Sequence, residues 1–174
     1  QNIVDPDYGT KNLAWHDLML RLTGPAVLHL QRAFLEDWHA ERGELPDGPE
    51  LFPEPDASGE VTIQVVPSGP PYPVESFHHL VVEALNSVRR RLIITTPYFV
   101  PDEPSLLALK LAVMRGARVD LVVPRQIDHP LVALAMASYY DQLLEAGVNI
   151  HVFRHGLLHS KSITVDDAFA LIGS

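Results

Sequence analysis

His159-Ser160-Lys161, with Asp166 five residues further on and Gly173-Ser174 behind it, is a spacing that can exchange phosphodiesters. A neutral imidazole can attack phosphorus, and a protonated one can give its proton to a leaving oxygen. With a reference pKa near about 6.5, histidine is the side chain that serves either role near neutrality. A covalent phosphohistidine would divide one difficult displacement into two easier steps. Lys161 supplies positive charge for the phosphate oxygens, and Ser174 can add a hydroxyl donor to them. Asp166 completes the catalytic set as its least chemical member. A carboxylate at a strand end before a turn is expected to hold local geometry through hydrogen bonds or an ion pair, not to touch substrate. The scheme requires no metal or other cofactor, and no Asp/Glu/His cluster has metal-ligand spacing. If 158–166 is a strand, residues two apart share a face, so His159 and Lys161 project together. Ile163 and Val165 have the same parity and would close that face beyond them.

The elements that must position these residues follow from periodicity. Residues 15–23 read as a buried strand ending at Gly24-Pro25. Pro25 suits the first turn of a helix to about Glu41, with Val27, Leu28, Leu30, Phe34, Leu35 and Trp38 at helical spacing. From Arg42 to Gly59 the pattern gives way to Pro, Gly, Asp and Glu, which places a linker over 43–60. Beyond it, Val61–Val66 reads as a strand and Val74–Arg90 as a helix. Leu92–Thr96, Val119–Val123, Val148–Phe153, Ser160–Val165 and Ala168–Ile172 read as further strands. Glu103–Arg115 and Leu131–Ala146 read as helices stopped by Gly116 and Gly147. This alternation predicts an α/β fold with a mostly parallel sheet covered on both faces. The last two strands, joined only by Asp166-Asp167, are expected to be antiparallel.

Bulk properties narrow the class. At 174 residues, 47% hydrophobic and 20% charged, the sequence suits one domain with a full core or parts of two. The absence of cysteine excludes disulfides and thiolate metal sites. The formal charge of −9, with one short basic run at Arg89-Arg90-Arg91, weighs against a nucleic-acid partner. It gives no reason to expect electrostatic docking to an anionic membrane either. No apolar stretch reaches the roughly 18 residues needed to span a bilayer, and the N-terminus has no signal-peptide pattern.

His-x-Lys-x4-Asp followed by Gly-Ser resembles the signature half-motif of the phospholipase D superfamily. Thr96-Pro97-Tyr98-Phe99-Val100-Pro101, Arg115-Gly116, Val122-Val123-Pro124-Arg125, Gly147-Val148 and Gly156-Leu157-Leu158-His159-Ser160-Lys161-Ser162 resemble the bacterial cardiolipin synthases within it. The resemblance implies a layered sandwich with a mostly parallel mixed sheet flanked by helices. It also implies two such motifs, one per similar domain, facing across one active site, and this sequence contains the second alone. By that match 1–42 is the end of a first domain, 43–60 a linker, and 61–174 most of a second domain. Asn2 would belong to the phosphate pocket with Ser174, and Asp17 would orient the first motif's histidine. A surface charge at a strand start is the other reading of Asp17.

The implied reaction is phosphatidyl transfer between two phosphatidylglycerol molecules, giving cardiolipin and glycerol through a phosphohistidine. The implied setting is the bacterial cytoplasmic membrane, reached through parts outside this segment. Lipid or phosphodiester hydrolysis, and phosphate or lipid binding without turnover, are the alternatives. A two-fold pair of chains is the other way to supply a second histidine. Which histidine is nucleophile and which acid is left open. Tyr98 and Phe99 follow a strand's carboxyl end, where α/β sheets place ligands. Lining a lipid entrance and plain loop packing are both readings of them, packing slightly favoured. Arg125 reads as a head-group contact or, more simply, as a solvated charge.

Overall fold

The structure is a computed structural model that describes residues 15–55, 59–69, 72 and 75–173. They form two compact units, Met19–Leu80 and a larger one made of 15–18 with 81–173.

In the smaller unit, helix α1 spans Ala26–Arg42. Pro25 caps its start with φ −58°, a value its ring enforces. Gly43 ends it in the left-handed region at φ 70°, donating its N–H to the His39 carbonyl at 2.8 Å. Arg32 reaches Glu36 one turn on at 2.8 Å, and the Tyr72 hydroxyl donates to the same carboxylate. The expected linker, 43–60, lies within this unit and contains only a short 3-10 turn at Pro49–Leu51. Val61–Val66 is not a strand. Val61 is 82% exposed and the segment pairs with nothing among the described residues, so its β-propensity has no ladder to express itself in.

The larger unit holds helix α2 from Val81 to its end in Ser76–Ser87, then β2 (Arg91–Thr95), α3 (Glu103–Met114), β3 (Arg118–Pro124), α4 (Pro130–Glu145) and β4 (Asn149–Phe153). After them come β5 (Leu157–Leu158), β6 (Ser162–Val165) and β7 (Phe169–Ile172), while β1 is Trp15–His16. Asp102 caps α3 by accepting from Ser105 N–H at 3.1 Å, and Pro104 fits the first turn. Gly147 follows α4 at φ 91°, where an L side chain would be strained and its Cβ would stand 3.0 Å from Val113.

Five strands order as β4-β3-β2-β6-β7. The first three are mutually parallel, β6 is antiparallel to β2, and β7 is antiparallel to β6, as their three-residue connection requires. Leu92, Ile94, Val119, Leu121, Val123 and Val165 share one face and pack against Leu85, Leu109, Ala112, Met136 and Leu143 of the helices. Among the described residues, α3, α4 and the main hydrophobic cluster lie on this face. The crossovers β2–α3–β3 and β3–α4–β4 proceed in the same direction across the sheet, so right-handed connections deliver both helices to the same side. On the other face Asp120 is buried and held by Arg118 at 2.8 and 3.1 Å and by His151 at 2.8 Å.

The predicted strand over 15–23 pairs only at Trp15–His16, parallel to Leu157–Leu158. Its partner is two residues long, so the run has nothing to pair with beyond His16, and Leu18, Met19 and Leu20 are exposed. No helix among the described residues is long and apolar enough to cross a membrane.

Candidate active site

His159 follows β5 directly and is 8% exposed. Its backbone N–H donates to the His16 carbonyl at 2.8 Å, and the Ser160 hydroxyl donates to the same oxygen at 3.2 Å. The short parallel pair β1–β5 therefore does one job: it carries Trp15, His16 and Asp17 against the histidine. Asp17 Oδ2 stands 3.2 Å from His159 Nδ1, and the Trp15 ring lies 4.7 Å from the imidazole, tilted by 54°. Trp15 Nε1 is buried there without a partner among the described residues.

The Asp17 carboxylate meets His159 because β1 runs beside β5 and ends at the level of His159. Burial would raise its carboxyl pKa. The Leu18 N–H, which donates to Asp17 Oδ1 at 2.8 Å, and the neighbouring His159 and Lys161 outweigh that and hold it below its ordinary value.

Lys161 also converges on the imidazole. β6 begins at Ser162, so 159–161 are the residues that join β5 to β6. The Lys161 ammonium donates to the His159 carbonyl at 2.8 Å and lies 3.2 and 3.4 Å from Nδ1 and Nε2. Burial pushes its pKa down, against the attraction of Asp17. Of the parity-related pair, Val165 is buried in the core and Ile163 packs against its edge.

Asp166 is at the far end of β6. The four strand residues between make five steps from Lys161, which put it roughly 16 Å away at the usual rise. Its Oδ2 accepts from Arg89 N–H at 2.7 Å, and Oδ1 accepts from Arg90 and Arg91 N–H at 2.8 and 2.7 Å. Arg90 returns a guanidinium bond to the Asp166 carbonyl at 2.9 Å, and Asp166 N–H donates to the Arg91 carbonyl. Its three backbone donors, Arg91 foremost, hold the carboxyl below its ordinary pKa. Asp166 and Asp167 turn the hairpin with φ of 51° and 59°, a region that Asp tolerates better than most side chains.

Asn2 and Ser174 lie outside the described residues; Gly173 donates its N–H to the Lys161 carbonyl at 3.2 Å. The aromatic pair after β2 divides. Phe99 is part of the core, whereas Tyr98 turns its ring edge to His159, 6.4 Å between centroids and nearly perpendicular. Its hydroxyl donates to Asp128 at 2.7 Å. Burial, then this carboxylate, push the phenol up to about 12, so it stays protonated. Arg125 is exposed, and its backbone N–H continues the sheet by donating to the Phe153 carbonyl. Two residues, Trp15 against the histidine and Asp128 against Tyr98, have no site signal in the sequence. Trp15 reads only as strand, and Asp128, thirty residues from Tyr98, lies in a loop with no motif of its own.

Residues 81–174 match the family described as cardiolipin synthase, PLD-like domain. That defines the class, a phospholipase D-like α/β domain. Cardiolipin synthase A of Serratia proteamaculans is 42% identical over 99% of this chain and 37% of its own length. Cardiolipin synthase A of Erwinia tasmaniensis has the same identity and coverage, and that of Proteus mirabilis is 39% identical. The chain thus spans little more than a third of the length of these curated relatives. The Salmonella typhimurium phospholipase D family member Nuc is 22% identical, with a TM-score of 0.47 over 56% of this chain and 62% of that one. The chain belongs to the cardiolipin synthase PLD-like domain family.

Proposed function

We propose that the full-length protein carries a phosphatidyl group from one phosphatidylglycerol to another, making cardiolipin and releasing glycerol. One observation carries this reading: in a chain of this family, His159 holds a carboxylate at Nδ1 and an ammonium beside the same ring. Asp17 favours the tautomer with its proton on Nδ1, which leaves Nε2 as the nitrogen that meets phosphorus or a leaving oxygen. It also stabilises the imidazolium that forms when the ring takes a proton. Lys161 is placed to meet the negative charge that builds on the phosphate oxygens.

The reaction balances over two displacements. A histidine nitrogen attacks phosphorus, the bond to the glycerol oxygen breaks, and that oxygen leaves with a proton from an acid. A hydroxyl of the second phosphatidylglycerol then attacks, loses its proton to the same group, and the phosphorus–nitrogen bond breaks. Two histidines divide these roles. His159 supplies one, and the other belongs to a first motif, in a domain of which 1–42 is the end, with 43–60 the linker and 61–174 the second domain. Asn2 and Ser174 would complete the phosphate pocket, and the substrate places the full-length protein at a membrane.

The test uses the full-length protein with phosphatidylglycerol and lipid mass spectrometry. Wild type should make cardiolipin, and His159→Ala should lower the rate by on the order of 10⁴-fold or more. Phosphatidic acid as the sole product would move the assignment to hydrolysis. Untouched lipid with both proteins would leave phosphate or lipid binding without turnover.

A further inference from the structure

We infer that Tyr98 and Asp128 form a hydroxyl-recognising subsite beside His159, which reads the polyol part of the lipid head group. The inference rests on the transferase reading above and adds to it the feature that selects the acceptor.

The Tyr98 ring connects the two positions. One edge meets His159, and the ring also lies 6.0 Å from His129, the residue that caps α4 next to Asp128. β2 delivers the tyrosine and β3 the loop that bears Asp128. Both strands point their carboxyl ends the same way, so the pair stands at the end of the sheet where His159 stands.

The hydrogen-bonding inventory then decides what the pair can hold. The phenol proton is committed to Asp128 Oδ1 at 2.7 Å, which leaves the phenol oxygen and the rest of the carboxylate as acceptors. His129 Nε2, 3.6 Å from Asp128 Oδ2, is the neighbouring cation when protonated. An acceptor-rich pair with a carboxylate repels phosphate and suits a ligand that brings donors. A glycerol unit brings hydroxyls on adjacent carbons, one to attack phosphorus and one to be held. The division of labour is by charge: Lys161 on the phosphate side of His159, Asp128 on the alcohol side. Asp128 is one-fifth exposed, so its hydrogen bonds are shielded from water yet reachable.

Competition between acceptors tests this in the full-length protein. Phosphatidylglycerol in detergent micelles is offered equal concentrations of deuterated glycerol and ethanol, and deuterated phosphatidylglycerol and phosphatidylethanol are counted by mass spectrometry. The ratio of the two does not depend on how much of a variant is folded. Wild type should favour glycerol, and Tyr98→Phe and Asp128→Asn should each lower the ratio about tenfold or more, the loss a site shows when a hydroxyl it is built to bind goes unpaired. A ratio within twofold of wild type in both variants would overturn the inference while leaving the transferase reading intact. Equal loss of both products in both variants would also overturn it, assigning the pair to chemistry or folding. A wild type that forms both products without favouring glycerol over ethanol would overturn the inference at once. A wild type that forms neither product would defeat the transferase reading itself.

Discussion

The two ends of strand β6 put similar residues to opposite uses. At its start, His159 and Lys161 are partly or wholly withdrawn from water, with Asp17 against the imidazole and the lysine ammonium destabilised by burial. At its finish, the half-buried Asp166 spends its carboxylate on three backbone N–H groups of 89–91. Four strand residues join the ends, and Leu92↔Val165 through Thr95↔Ser162 lock that strand to β2. The difference teaches how a short motif spans two functions. On the proposed reading its first half presents charge to a substrate, while its second half fastens the far end of the same strand. Changes at the start should therefore be read in rates, and changes at the finish in stability.

The largest effect after loss of His159 is expected at Lys161. Lys161→Met keeps the length of the stem and removes the charge, and kcat should fall by roughly 10²–10³-fold. Thermal melting should scarcely move, since a half-buried ammonium contributes little net stability once its desolvation is counted. Lys161→Arg should recover part of the rate. A Lys161→Met protein that melts far below wild type, with turnover per folded molecule preserved, would break the contrast between the two ends.

Asp17→Asn should act less strongly, by roughly 10–100-fold in kcat/KM, because it works through His159. Comparing turnover with melting separates this role from simple packing. Asp17→Asn should lose rate per folded molecule while its melting temperature scarcely moves. A variant that melts far below wild type, with turnover per folded molecule preserved, would mean that the carboxylate only packs beside the ring.

These contrasts bear on what can be read from sequence. The helices over 103–114 and 130–145 were legible because periodicity, a cap or a first-turn proline, and a terminal glycine agree. The strands of the main sheet were legible as short apolar runs between such helices. Two runs, 15–23 and 61–66, looked the same in composition and fail because a strand exists only where another segment supplies its ladder. β5, with just Leu157 and Leu158, is too short to show a period, yet it is the element that sets His159 beside Trp15 and Asp17. His159 and Lys161, two residues apart, meet as their spacing suggests, in the segment that joins β5 to β6 rather than inside one continuous strand. Tyr98 with Asp128, and Asp166 with 89–91, are side-chain pairings across 30 and about 76 residues, which no local pattern encodes.

The finish of β6 gives the smallest effect on rate and the cleanest one on stability. Asp166→Asn suits the comparison because Asn also tolerates the positive φ of this position, so the backbone is not the variable. Asn has one acceptor oxygen where Asp has two, and its amide would face one of the three N–H donors. The folded carboxyl sits below its ordinary value of 3.8. A group depressed on folding adds stability above its unfolded pKa and loses it as pH falls through the folded one. The variant should therefore melt below wild type at pH 7, and the gap should narrow as pH drops below about 4, where the wild-type carboxylate is itself being protonated. Turnover per folded molecule should fall far less than in Lys161→Met. A gap between the melting curves that stays constant from pH 7 to pH 3 would mean that the charge of Asp166 does not hold the strand. A loss of turnover as deep as that of Lys161→Met would bring Asp166 into the chemistry and erase the division between the two ends of the strand.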